Sequence, residues 1–556
     1  MTKALDHDSP LDLLLVPDDE EKPTLETGLD HDAAAGESER RGVEPADFPE
    51  FGESPSSIYH QRWGVVVPRD RARAEELLAR VRPLIKRRHE QMDAPVKVFR
   101  APVDDSLEAA LRWRDEVYYD GPFKEVPRYL LLLGDLDEVP ASLQQVQMHE
   151  TFMGRLAFRD PTGYEAYVEK LLRHEGKPAH DERSATFYTV HDGSGATRIG
   201  HRALVKPVFE RAQQEQASAA YPAGELRSLG EGVLSRDDFL GVARGTRGGV
   251  MFSMSHGAGA PSSGWQGDRE TMLAHQGALS FGSKGKLYAS ELDERPFLQD
   301  CFWFMFACYG AGTPRRSRFH HWLTRLSEHR QYGGLADGVL NSLPDGAAPG
   351  FTAALPQRAL ANPYGPLAVF GHMDLAWTYG FLEFDSGKKK ERPDKFYNLL
   401  LSMMEGRTAG VALFELARYY NEKLAHIAEV YDAREERRVK GELNPAEEDA
   451  RLGHLWMIRQ DLLGYVLLGD PAARLNYPDF APARAGASSG QAVAQHPEII
   501  EMRSDDLREP PAERSPSDAS PAGFSAAAQA AEPARDVHQA LDGDDARARQ
   551  EVSSER

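Results

Sequence analysis

Two uninterrupted apolar runs limit what this chain can become. Residues 129–133 read YLLLL and residues 301–307 read CFWFMFA. Neither alternates apolar with polar positions, so both faces of each must be buried. That is the pattern of a central strand in a parallel sheet covered on both sides. Parallel strands need crossover segments, usually helices. Strand and helix patterns do alternate along the chain, which predicts an α/β sheet with helices on both faces. Strands are expected at 63–67 (WGVVV), 96–100, 129–133, 186–190, 249–254 (GVMFSM), 301–307, 366–370 (PLAVF) and 464–468. Helices are expected at 69–92, 107–117, 199–217, 395–405, 409–433 and 447–462, and a hairpin at 277–287 turning at 283–285.

The ends of the chain have a different character. Residues 1–60 carry sixteen Asp and Glu against four Lys and Arg, and residues 485–556 carry fourteen against seven. Together these account for −19 of the net charge of −21. Residues 1–57 and 479–556 are rich in Pro, Ser and acidic or Ala residues without a sustained period, and are expected to be disordered. The near-neutral centre offers no basic patch, so nucleic acid is not an expected partner. The run at 11–16 is broken by Asp12 and flanked by acids, unlike a signal peptide. No stretch approaches the ~20 apolar residues of a membrane span. A chain with only Cys301 and Cys308 has little scope for disulfides. If both lie on one strand they are roughly 23 Å apart, too far to join. The expectation is a cytoplasmic protein with neither membrane nor metal requirement.

Two of the strands end in reactive residues. The first runs into Ser255-His256-Gly257, the second into Cys308-Tyr309-Gly310. In open α/β sheets ligands bind beyond the carboxyl ends of the strands. If the two strands are parallel neighbours, an imidazole lies beside a thiol there. A base that takes the thiol proton makes a nucleophile near neutral pH. Gly257 allows close backbone approach. Its N–H and that of Cys308 are candidates for an oxyanion hole. His256 precedes Cys308 by 52 residues, a spacing found in caspase-type peptidases.

The stretches SMSHGAG (253–259) and FACYGAG (306–312) resemble the paired motifs of the caspase–haemoglobinase superfamily, which includes caspases, gingipain-type peptidases and bacterial CHAT proteases. YLLLLGDLDEVP (129–140), GALSFGSKGKLYASEL (277–292), GRTAGVAL (406–413) and GYVLLGDPAARL (464–475) are similar to other segments of that group. The likeness spans about residues 60–476. It implies a caspase-like α/β/α sandwich, with an N-terminal subdomain over 58–190 and a catalytic domain over 191–478. It also implies a cysteine endopeptidase that needs no cofactor, with Cys308 as nucleophile, His256 as general acid/base, and Gly257 with Cys308 donating to the oxyanion. The expected partner is a protein or peptide substrate, and a pore-forming or regulatory protein in bacterial defence or cell death would fit relatives of this kind. Asp374, in the segment AVFGHMDLAWTYGF (368–381), falls where the family builds its primary specificity pocket and is a candidate to hold a basic side chain. His372 reads as structural. The alternatives are an inactive caspase-like scaffold and a cysteine-dependent hydrolase or acyltransferase for small molecules.

Overall fold

In the computed structural model the described residues are 54–477, apart from 180–181, 231–234, 260–267, 328–338, 341–342, 345, 386–387 and 443–444, together with 499–501. The expected disorder at 1–57 and 479–556 lies almost wholly outside them.

The main sheet contains β1 (Trp63–Val67), β2 (Val96–Arg100), β3 (Tyr129–Leu133), β4 (Phe152–Leu156), β5 (Ser184–Thr189), β6 (Glu225–Leu229) and β7 (Val250–Met254). Short strands β8 (His256–Gly257), β9 (Leu279–Ser280) and β10 (Lys286–Leu287) form a separate three-stranded sheet. Then come β11 (Phe302–Phe306), the small antiparallel pair β12 (Gly312–Thr313) and β13 (Phe351–Thr352), and β14 (Ala368–His372). A hairpin of β15 (Leu382–Asp385) and β16 (Lys388–Glu391) precedes β17 (Tyr465–Leu468) and β18 (Ile499–Glu501). The main sheet has eleven strands in the order β18-β2-β1-β3-β4-β17-β14-β11-β7-β5-β6. Every extended ladder in it is parallel except β14–β17. β4 meets β17 through one residue pair, Arg155 with Leu468. The fold is an α/β/α sandwich with a mostly parallel central sheet.

Burial follows from the strand chemistry. Trp63, Val65 and Val67 of β1 enter one core, whereas Val66 enters another on the opposite face. β3 divides in the same way, Leu131 and Leu133 against Leu130 and Leu132. An apolar residue at every position is what a strand with both faces covered requires. Among the described residues no helix is long and apolar enough to cross a membrane.

Several elements differ from the pattern expected of the sequence. The helix expected over 69–92 is two helices, Arg71–Arg80 and Arg82–Met92. Pro83 opens the second, because it has no N–H to continue the first. β4 (FMGRL) escapes the apolar pattern because Gly154 and Arg155 interrupt it. Arg155 is nevertheless fully buried, its guanidinium donating to Gln144 Oε1 and to the carbonyls of Gly134 and Asp135. β6 (ELRSL) is polar because it is an edge strand. Just before the boundary expected near residue 190, β5 pairs with β7 within the main sheet. Ile499–Glu501, in the expected tail, pairs with β2.

Candidate active site

β11 lies between β7 and β14, and β7 lies between β11 and β5. In the β7–β11 ladder Met254 is opposite Phe306. His256 and Cys308 each follow two residues later, so both leave the same edge of the sheet in step. The pairing extends past the strand, with Ser255 N–H donating to the Phe306 carbonyl at 3.1 Å. Gly257 packs directly on the backbone of Cys308. A Cβ at 257 would stand 1.8 Å from the Cys308 carbonyl oxygen and 3.0 Å from its nitrogen, which leaves no room for any other residue.

The strand on the far side of β7 brings a third group. β5 keeps pace with β7 through Thr189 opposite Met254, and Val190 N–H donates to the Met254 carbonyl at 2.9 Å. Two residues on, the Asp192 carboxylate reaches His256, with Oδ2 3.2 Å from Nε2. Ser194 Oγ is 2.8 Å from the same nitrogen. The Asp192 side chain is 7% exposed, against 39% for His256. Burial works against its ionisation, but the Ser194 N–H, the hydroxyls of Thr197 and Ser194, and His256 outweigh it and hold the carboxyl below its usual range. The sequence signal was present in TVHDGSG (189–195), a strand end followed by Asp and Ser, and it reads equally as a plain helix cap. Only the placement of β5 beside β7 separates the two.

Cys308 is free and half-buried. Its Sγ donates to the Ala376 carbonyl oxygen at 3.6 Å. Burial pushes its pKa up to about 11; the Ala376 contact lowers it, and the charges of Asp461 and Asp374 add to the rise. In this state the thiol is protonated and faces the loop after β14. The chain turns sharply just beyond it. Tyr309 has φ of 55°, a left-handed conformation uncommon in a bulky residue. That turn is tied to β14, with Tyr309 N–H donating to Asp374 O at 2.8 Å and Ala311 N–H to His372 O at 2.9 Å.

Asp374 belongs to the loop facing Cys308, but its carboxylate points inward. It is 6% exposed and accepts from Leu375 N–H at 2.8 Å. Burial raises its pKa, opposed by bonds from the Ser317 hydroxyl and the backbone of Leu375 and Arg318. His372 is fully buried, with Nε2 3.0 Å from the Asp461 carbonyl and Nδ1 accepting from Asp374 N–H. Asp461, also fully buried, accepts from Trp377 N–H at 2.9 Å and Gly380 N–H at 2.6 Å. It thus fixes the loop that carries Ala376. Cys301, at the opposite end of β11, is buried and donates to Gly248 O at 3.0 Å. Burial raises its pKa well above the usual thiol range. Among the described residues no cluster of His, Cys, Asp and Glu suits a metal ion.

Two solved structures are similar to the chain. One is the complex of the pro- and mature domains of RgpB from Porphyromonas gingivalis, with a TM-score of 0.41, 12% identity, and coverage of 74% of this chain and 79% of that one. The other is described as the structure of a protease, with a TM-score of 0.43, 11% identity, and coverage of 74% and 78%. No protein-family model matches, and no curated protein does. Likenesses this distant leave the chemistry to be read from the site's own residues.

Proposed function

We propose that the protein is a cysteine endopeptidase, with Cys308 as nucleophile and His256 as general acid/base. The observation that carries this reading is the register of β7 and β11, which puts both residues two positions beyond one matched pair. The fit of Gly257 against the Cys308 backbone supports the same assignment. A binding scaffold needs neither.

The contacts support the following steps. An ionised Asp192 favours a hydrogen on Nε2 of His256, leaving Nδ1 as the basic nitrogen. Substrate binding turns Sγ away from Ala376. The thiol proton passes to His256 and sulfur attacks the scissile carbonyl carbon. The N–H groups of Gly257 and Cys308 donate to the resulting oxyanion. His256 then protonates the leaving amine, the C–N bond breaks, and a Cys308 thioester remains. Water attacks the thioester, giving its proton to His256, and the acid product and free thiol are released. For Asp374, the inward carboxylate favours a part in holding the loop over recognition of a basic side chain.

The test is covalent labelling of the full chain with acyloxymethyl-ketone peptides bearing Arg, Lys, Asp or Leu before the reactive group. One adduct on Cys308, absent in Cys308→Ala and strongly slowed in His256→Ala, is the expected result in intact mass spectra. Labelling that proceeds equally in His256→Ala removes the base from the mechanism. The inactive-scaffold reading draws on one observation, the raised pKa of a thiol turned to Ala376, and absence of any adduct with every probe would favour it.

A further inference from the structure

Beyond the dyad, two guanidinium groups meet over one aromatic ring on the same edge of the protein. Arg159 lies 5.7 Å and Arg269 4.9 Å from the centroid of Phe351. Phe351 is in β13, which pairs with β12, so the ring hangs on the segment directly downstream of Cys308. Arg269 opens the helix Arg269–His275, in the connection that follows His256. Just past that helix, Gly277 presses on the Tyr309 carbonyl oxygen, where a Cβ would come within 2.3 Å. Arg159 arrives from the end of β4 and is anchored by neutral groups, Nη1 donating to Leu273 O at 2.7 Å and Nη2 to Thr352 O at 3.4 Å.

The charges of this pair are poorly answered. Partial burial lowers the pKa of Arg159; Asp135 opposes the shift and the Arg269 charge adds to it, so the two cations repel. Asp135 is itself engaged by the N–H and hydroxyl of Thr352. Nη1 of Arg269 is buried with no hydrogen-bond partner among the described residues, whereas Arg159 is exposed. Asp268 caps its own helix through Thr271 N–H, and residues 260–267 contain no acid. Two guanidinium groups over one ring, with no carboxylate bonded to either among the described residues and one of them exposed, form a receptor for an anion.

We propose that Arg159 and Arg269 form a subsite for a carboxylate side chain, Asp or Glu, of the peptide substrate, away from the scissile bond. This rests on the peptidase reading above, since it assigns the anion to a substrate. Charge-assisted bonds to a planar donor give both affinity and register, so the subsite selects peptides by acidic position as well as by the residue at the cleaved bond.

The experiment uses the full chain with Cys308→Ala, so that binding is measured without turnover. Fluorescent decapeptides carrying a single Glu or Gln walked along the sequence are titrated by polarisation. The expected result is one position at which Glu binds about tenfold more tightly than Gln, the size of one good charge-assisted contact. The preference disappears in the added variant Arg269→Gln and survives in part in Arg269→Lys, with thermal midpoints recorded for each. Equal binding of Glu and Gln peptides at every position overturns the proposal, as does a Glu preference unchanged by Arg269→Gln. If peptides show no preference while Arg269→Gln speeds hydrogen exchange in residues 1–57, the acidic arm is the occupant and the substrate assignment falls. A clear Glu preference alongside a wild-type Cys308 that no ketone labels would retain the anion site and reject the peptidase reading.

Discussion

The main sheet contains two sets of parallel strands, and their loops have been put to different use. After β1, β2 and β3 a broad cleft is walled by Arg69, Asp104, Asp137 and Pro349, among others. Its charges are largely answered in place: Arg73 bonds Glu76 and Glu138, and Asp105 accepts from Ser142 N–H. After β5, β7 and β11 the groups are a carboxylate, an imidazole and a thiol. Of these the thiol has one long contact, to a carbonyl. Both regions use the same strand geometry. What separates them is how fully the polar groups satisfy one another, and that distinction sets apart the edge that carries His256 and Cys308.

The largest effect that could break this comparison is at Cys308. Cys308→Ala should abolish ketone labelling, and His256→Ala should slow it by about 10²-fold or more, the range for a general acid/base. Both should leave the thermal midpoint nearly unchanged. Gly257→Ala should follow. Its Cβ cannot coexist with the Cys308 carbonyl at 1.8 Å, and displacement of that backbone should reduce the labelling rate by about 10²-fold, the scale of one lost oxyanion donor.

Asp192→Asn should have a smaller effect, about tenfold on labelling, because it removes a group that orients rather than reacts. It has a second signature in acid. The folded-state pKa of Asp192 lies below its ordinary value, so its stabilisation is present above the ordinary carboxylate range and is lost as pH falls through the folded value. Acid titration of stability by circular dichroism should be flatter in that interval for Asp192→Asn. For the resting thiol, alkylation by iodoacetamide should climb with pH and show no plateau before about 11. An early plateau near neutral pH would mean that His256 already holds a thiolate.

The smallest effects should fall away from the reactive edge. Cys301→Ala should cost about 1 kcal/mol of stability, read by denaturant unfolding, and leave labelling of Cys308 unchanged. Arg73→Ala, in the other cleft, should cost about 0.5 kcal/mol through its partly exposed ion pairs and also leave labelling unchanged. A large loss of labelling in Arg73→Ala would show that the two edges are coupled.

By itself the sequence determined the layer architecture and placed His256 and Cys308 just beyond two of its strands. Runs such as YLLLL and CFWFMFA have one physical solution, burial on both faces, and His256 and Cys308 follow such runs directly. What it left open depended on neighbours distant in the chain. β4 was hidden because buried Arg155 takes carbonyl partners that only folding supplies. Asp192 belongs to none of the motifs read from the sequence, and only β5 standing beside β7 brings it to His256. Asp374 was a pocket candidate by its place in the sequence, and only the fold supplies the Leu375 N–H that its carboxylate accepts from. Apolar pattern is local, because burial on a face is written in each strand's own residues. The partner of a charge is not, because a hydrogen bond or ion pair is set by whichever strand or loop the tertiary fold brings within about 3 Å.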